Sequence, residues 1–361
     1  MTPDVQLVRK MMSRQNLTRT ESSELLEALL RHDGEGWKFL AYSVASQTKG
    51  ETVDELLGMH DAMHSLTGDY DLDLAGRRPM DVSSAGGSGV RKINVSTLMS
   101  LVVGEPEVPL IKHSFWKVTS LTGSADALEA VGIFPPRVTL PQIQHAVETV
   151  GTVFYSPVFV SAELGNIVNF GRVLAVHQVG VSTPFHLMVP IFTPIPLTYR
   201  MFGLNNPTQF EMLTELFRGL GYKNALLVRG FEGLDEASII GPSRVRGFRN
   251  GEDFDFVLLP GEHGLQRAPA EAVTPVDAAS NIRDFVRIAY GQETGPKRDL
   301  VALNAGLALW ISERAATIEE GIQTAISRLE SGSVAAKLTA LVEQHGETEI
   351  LRQARADHLS P

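Results

Sequence analysis

A chain of 361 residues with 32 basic and 42 acidic side chains, no cysteine and 43% hydrophobic residues is globular in composition, with room for one large domain or two smaller ones. Zero cysteine excludes a disulfide-built scaffold, thiolate nucleophiles and sulfur-held zinc or iron, so any metal must take oxygen or nitrogen ligands. A net charge of −10 repels phosphate backbones and anionic lipid, which disfavours broad nucleic-acid or membrane binding.

The stretch Met1 to Met12 scatters charges among its apolar positions and lacks the basic and apolar regions of a secretory signal, so a cytoplasmic location is expected. Behind Thr20-Glu21-Ser22-Ser23-Glu24, the residues Leu25, Leu26, Leu29 and Leu30 recur at helix spacing. Thr52-Val53-Asp54-Glu55 is a capping box in front of a helix that carries Leu56, Leu57, Met59 and Met63. Such short helices bury their apolar stripes only against each other or another domain. A helical domain is therefore expected over residues 1–78, completed by a segment near 188–208, with an α/β domain over 79–361.

From Asp81 onward short apolar runs alternate with helical stretches. Strands are expected at Val108 to Ile111, Val153 to Tyr155, Ala225 to Val228 and Phe254 to Leu259, and helices at Ser124 to Val131, Leu140 to Val150, Val276 to Tyr290 and Leu300 to Leu329. This is an α/β pattern. The uncharged run Val173 to Tyr199 is long enough to cross a bilayer, but Pro184, Pro190, Pro194, Pro196, His177 and His186 break it into buried segments. It fits neither pattern and is expected to leave the α/β domain and return. The tail after Gly346 is expected to be a frayed surface helix.

Three features carry chemistry. Ser84-Ala85-Gly86-Gly87-Ser88-Gly89 follows an expected strand and precedes Asn94-Val95-Ser96-Thr97, which should open a helix; glycines admit an anion to the backbone, and free amides at a helix N-terminus favour phosphate. Arg91 and Lys92 add positive charge there. Lys112-His113 closes a strand and points toward the crevice where α/β domains bind ligands. Asp235 and Glu236 sit on a Gly-bounded loop after another strand, a pair of hard oxygen ligands suited to Mg²⁺ with a pyrophosphate. Singly these read as a Gly/Ser turn, a solvated lysine and an acidic turn. Jointly they are the parts of a phosphoribosyl or phosphoryl transfer site.

Asn94-Val95-Ser96-Thr97, Lys112-His113, Gly123-Ser124-Ala125-Asp126-Ala127-Leu128-Glu129-Ala130 and Gly233-Leu234-Asp235-Glu236 stand in the order and spacing of one family's signatures, and Lys49-Gly50-Glu51-Thr52 with Asp54-Glu55-Leu56 precedes them. On these residues the sequence resembles the anthranilate phosphoribosyltransferase family, from the N-terminal helices to about Leu329. The resemblance implies a small helical domain plus a larger α/β domain with a central mixed, mostly parallel sheet, the type shared with nucleoside phosphorylases. It implies a homodimer through the helical domains, and transfer of 5-phosphoribosyl from 5-phosphoribosyl 1-diphosphate (PRPP) with Mg²⁺. It further implies that Ser96, Asp235 and Glu236 hold the metal, and that Gly86, Gly87, Ser88, Lys92, Asn94, Ser96, Thr97, Lys112, Ser120 and Ser124 surround the donor. Lys112 and His113 would serve the chemistry, and His113, Phe115, Trp116, Val176, His186 and Pro190 would line the acceptor pocket.

The sequence also departs from that pattern. The family's Gly-Thr-Gly-Gly-Asp is Ser84-Ala85-Gly86-Gly87-Ser88, and its Lys-His-Gly-Asn-Arg is Lys112-His113-Ser114-Phe115-Trp116. An ungapped alignment puts the family's carboxylate-binding Arg near Val176 and the Asn of Thr-x-Phe-Asn at His186. Losing a charge-assisted contact to a carboxylate costs roughly 1.5 to 3 kcal/mol, and a buried Phe or Val penalises the bare charge further. The expected acceptor is therefore an aromatic other than anthranilate. Three other readings stay open: a non-catalytic paralogue with a binding or regulatory role, nucleic acid included; a genuine anthranilate enzyme of tryptophan biosynthesis; and a pyrimidine nucleoside phosphorylase, whose Lys-x-x-Ser-Thr-Gly-Gly loop the chain lacks.

Overall fold

A computed structural model describes residues 2–32, 36–67, 70–87, 90–117, 121–156, 163–167 and 184–359. The helical periodicity of the first segment becomes α1 (Pro3–Met12), α2 (Arg19–His32), α3 (Trp37–Lys49) and α4 (Val53–Thr67). Leu25, Leu26, Leu29 and Leu30 are at most 1% exposed, and α2 packs along α4. The capping box forms as written: Thr52 N donates to Glu55 Oε2 at 2.9 Å and Glu55 N to Thr52 Oγ1 at 3.3 Å. Glu55 also accepts from Lys49 Nζ at 2.8 Å and from Leu17 N at 2.8 Å, so one buried carboxylate ties three chain segments together. Residues Pro157–Pro196 and Glu211–Leu220 belong to the same unit, including α8 (Phe185–Ile191), whose Phe185 stacks on Phe39 with centroids 5.3 Å apart.

The second unit comprises Leu72–Ser156, Leu197–Phe210 and Gly221–Pro361. It is built on β1 (Met80–Ser84), β2 (Leu110–His113), β3 (Thr152–Tyr155), β4 (Tyr199–Gly203), β5 (Asn224–Gly230), β6 (Ser243–Arg249) and β7 (Glu252–Leu258). These form one mixed sheet in the order β3-β2-β1-β4-β5-β6-β7. The first five run parallel, β6 pairs antiparallel to β5, and β7 pairs antiparallel to β6. Parallel strands end at one edge, so the loops after β1, β2, β4 and β5 share the edge where open α/β sheets bind ligands. The helices of this unit are α5 (Val95–Val103), α6 (Ser124–Glu129), α7 (Leu140–Thr149), α10 (Ala278–Ala289), α11 (Pro296–Ile311), α12 (Ile318–Glu330), α13 (Ser333–His345) and α14 (Thr348–Leu359), of which α5, α7 and α11 pack directly on the strands, while α9 (Phe210–Gly219) lies mostly in the first unit. The core centres on α11, where Leu300, Val301, Leu303, Leu307 and Leu309 are fully buried. No helix among the described residues is long and apolar enough to cross a membrane.

Four expectations need correction. The strand placed at Val108 to Ile111 starts at Leu110, because Val108 pairs back to Glu105 in an isolated antiparallel bridge. The single helix over Leu300 to Leu329 is two: Glu313 takes φ +63, turning the chain, and Thr317 caps α12 by accepting from Glu320 N at 3.1 Å. The tail is not frayed, since Leu351 and Ala354 of α14 are 4% and 6% exposed and the helix packs on α10. Strands β4 and β6 arise where none was expected, β4 with the fully buried Arg200 as its second residue.

Candidate active site

The chain leaves β1 through Gly86 and Gly87, both at φ +69, a left-handed bend that glycine adopts without strain. Gly86 N donates to Asp235 Oδ2 at 3.2 Å, and Gly86 O accepts from Asn205 Nδ2 at 2.6 Å, so the bend is held by the loops after β4 and β5. Asn94 stands at the N-cap position of α5 with its side chain turned to other partners, and Ser96 and Thr97 occupy the first turn. Thr97 is fully buried, and its Oγ1 has no hydrogen-bond partner among the described residues.

Asp235 and Glu236 follow β5 across a tight turn in which Gly230 N donates to Leu234 O at 2.8 Å and Glu236 O at 3.1 Å. Their far flank is clamped by Asn304 of α11, which accepts from Ala237 N and donates to Ala237 O, both at 2.9 Å. Gly203 ends β4 directly beneath this turn, where a Cβ would lie 1.8 Å from Asp235 O. Only glycine lets the backbones come that close. The acidic pair and the glycine bend therefore adjoin at the sheet edge.

Lys92 lies between them. Its Nζ is 2.7 Å from Asp235 Oδ1 and 2.9 Å from Glu236 Oε1, with the carboxylate side chains 1% exposed and Lys92 18%. Burial opposes the ammonium, but Asp235 and Glu236 outweigh it and hold Lys92 above its usual pKa. Burial, with the neighbouring Asp235, pushes the Glu236 carboxyl up against the pull of Lys92. Lys112, expected to point into the crevice, is 3% exposed and donates to Val82 O at 2.7 Å. Burial pushes its ammonium down, while Asp81 and Glu236 support it. Deeper still, Arg200 Nη1 pairs with Asp81 Oδ2 at 2.7 Å and Nη2 donates to Ser83 Oγ at 2.6 Å, both ion-pair partners being at most 1% exposed.

A second cluster joins α5 to the loop after β2. Asn94 Nδ2 donates to Gly123 O at 3.1 Å and Asn94 Oδ1 accepts from Thr122 Oγ1 at 2.9 Å, whose oxygen accepts from Asn281 Nδ2 at 2.5 Å. Ser124 Oγ accepts from Phe115 N at 3.1 Å. The Phe115 ring meets buried His113 edge-on at 4.2 Å. Trp116 is 37% exposed, and its Nε1 donates to Glu129 Oε1 at 3.0 Å, which turns the indole along α6.

Gly86, Gly87, Lys92, Asn94, Ser96, Thr97, Lys112, His113, Phe115, Trp116, Ser124, Asp235 and Glu236 thus all belong to the second unit, around the ends of β1, β2 and β5. His186, exposed, and Pro190, half-buried, lie on α8 in the first unit. Ser88, Ser120 and Val176 fall outside the described residues. Gly203, Asn205 and Asn304 were not foreseen. Asn205 follows a strand that local pattern does not reveal, and Asn304 sits inside an apolar helix, where a lone buried amide was the available signal.

The carboxylates fit a divalent cation: they are hard oxygen donors and already hold a positive charge between them. Among the described residues no group of three or more His, Asp or Glu side chains could hold a metal, so the remaining oxygens would come from water, a hydroxyl such as that of Ser96, or a bound phosphate.

A family model described as the a/b domain of a glycosyl transferase family matches residues 76–335. The chain is 32% identical over 332 residues to the anthranilate phosphoribosyltransferase of Exiguobacterium sibiricum, covering 92% of this chain and 95% of the relative. It is 31% identical to that of Pelotomaculum thermopropionicum, over 94% and 96% of the two chains. The crystal structure of the Thermus thermophilus anthranilate phosphoribosyltransferase superposes with a TM-score of 0.83 at 29% identity, covering 94% of this chain and 98% of the other. The Saccharomyces cerevisiae enzyme in complex with PRPP and Mg shares the fold, with a TM-score of 0.81 at 19% identity over 94% and 97%.

Proposed function

We propose a specific transfer reaction from a plain premise: the chain belongs to the anthranilate phosphoribosyltransferase family and is a pentosyltransferase. The reading is Mg²⁺-dependent transfer of 5-phosphoribosyl from PRPP to an aromatic amine, with anthranilate the acceptor that the relatives' names favour. The observation that carries it is the buried Asp235–Glu236 pair, bonded to the glycine bend through Gly86 N and holding a cation. Bound Mg²⁺ would neutralise charge on the departing diphosphate. The chain's own part is to present the left-handed bend and the α5 N-terminus to phosphate oxygens, and to lock Asn94 through Thr122 and Asn281 so that the ribose end meets a preset surface. An arylamine attacking the anomeric carbon needs little acid–base help. A homodimer and a cytoplasmic location complete the reading by family analogy.

A second reading keeps the reaction and changes the acceptor. By the resemblance, Phe115 and Trp116 fall where the family has Asn and Arg, and the Phe115 ring packs edge-on against His113 with centroids 4.2 Å apart, which favours an arylamine without a carboxylate. Pyrophosphate release from PRPP and Mg²⁺ is measured with anthranilate and with uncharged anilines. Turnover of anthranilate supports the first reading, turnover of anilines alone selects the second, and no release with any acceptor contradicts both.

A further inference from the structure

We infer that Lys92 is a placeholder cation on the Asp235–Glu236 pair, keeping free divalent metal out until a diphosphate arrives to receive its ammonium. The inference rests on the reading of that pair as a metal site and adds how the metal is admitted. The ammonium bridges both carboxylates, 2.7 Å from Asp235 Oδ1 and 2.9 Å from Glu236 Oε1, on the oxygens a metal would need. It is a counter-cation already in place.

The charge balance determines what can enter. Two carboxylates and one ammonium leave a net charge of −1 in a pocket whose acidic side chains are 1% exposed. Adding a divalent ion while Lys92 remains would reverse the sign and set two cations against each other where water screens them poorly. Lys112 offers no relief, because it is a third buried cation nearby with its ammonium committed to Val82 O. Among the described residues no cluster of three acidic or imidazole groups is present to absorb the excess.

A diphosphate changes the balance. The bend at Gly86 and Gly87, where it would dock, is bonded to Asp235 itself, so the anion would arrive beside Lys92. A lysine on a flexible four-carbon stem can then pivot from carboxylate to phosphate without moving the backbone. The metal takes the vacated oxygens. Metal and diphosphate thus bind cooperatively through one side chain, and metal alone binds weakly.

Binding of Mn²⁺ to the full chain is followed by electron paramagnetic resonance, with and without inorganic pyrophosphate, in the parent and in Lys92→Gln and Lys92→Arg. The parent should bind free Mn²⁺ about tenfold or more weakly than Lys92→Gln, within the range usual for coupled sites, and pyrophosphate should remove most of that difference. Lys92→Arg keeps the charge and should keep the exclusion. Circular dichroism checks folding of the variants, and the parent's own gain with pyrophosphate decides the matter if Lys92→Gln does not fold. Parent binding equal to that of Lys92→Gln, or no gain with pyrophosphate, overturns the placeholder role and leaves the metal site standing. No protein-bound Mn²⁺ in any sample overturns both, and makes Lys92 a permanent structural partner.

Discussion

Gly203→Ala tests how the fold delivers the acidic pair. The added Cβ would stand 1.8 Å from Asp235 O, 2.8 Å from Asp235 C and 3.0 Å from Ser84 Cβ. Unstrained contacts lie near 3.5 Å, so strand and turn must separate by about 1.7 Å. The opposing atoms are mainly backbone, and no side-chain rotation relieves them. Overpacking commonly costs about 1 to 3 kcal/mol, and this site belongs at the upper end, about 3 kcal/mol. At roughly 2 to 4 °C per kcal/mol for a unit of this size, the melting temperature should fall by about 6 to 12 °C. The same shift would part Asp235 from Gly86 N and Lys92, so pyrophosphate release should fall with stability. Gly261→Ala is the control, since nothing lies within 4 Å of its Cβ position. Scanning calorimetry and the pyrophosphate assay read both effects. A Gly203→Ala protein that melts within about 2 °C of the parent and turns over normally would refute the close-approach argument.

Arg200→Met removes the counter-charge of Asp81 in a fully buried pair, and should lower stability by about 3 to 5 kcal/mol in urea unfolding; a loss under about 1 kcal/mol would mean the pair is dispensable. Glu313 is held at a pKa of about 2, because burial, which would raise it, is outweighed by Lys223, Tyr199 and Asn224. Its folded pKa lies below its ordinary value, so its contribution of about 2 to 3 kcal/mol is present above about pH 4.5 and lost as pH falls toward 2. Urea midpoints of Glu313→Gln and parent should therefore differ most at pH 7 and converge in acid, and a gap constant with pH would contradict the assignment.

How much of this was legible depends on the distance between partners. The capping box at Thr52 and Glu55 acts within one helical turn, and the neighbouring residues Asp235 and Glu236 sit between turn signals, so local pattern suffices for both. Strand β4 was missed because Arg200 interrupts its apolar run, and the Asp81 that neutralises it lies one strand away in space and far away in sequence. Strand β6 carries Arg244, Arg246 and Arg249, with Arg244 and Arg246 paired to Asp255 across the antiparallel ladder, and so reads as a polar loop. Lys92 was recognisable as positive charge beside a phosphate loop. That its ammonium rests on carboxylates 143 and 144 positions later is a tertiary fact with no local signature. Lys112 is anchored in a similarly non-local way: strand alternation does not reveal that its ammonium donates to Val82 O on the neighbouring strand.

The central claim is that Asp235 and Glu236 hold a divalent cation for the diphosphate of a phosphoribosyl donor. Calorimetric titration of PRPP with Mg²⁺ into the parent and into Asp235→Asn with Glu236→Gln tests it most directly. Loss of two charge-assisted contacts, each about 1.5 to 3 kcal/mol, predicts donor binding in the parent and at least about a hundredfold weakening in the variant. Equal affinity in the two proteins, or no binding to the parent at millimolar donor, would contradict it.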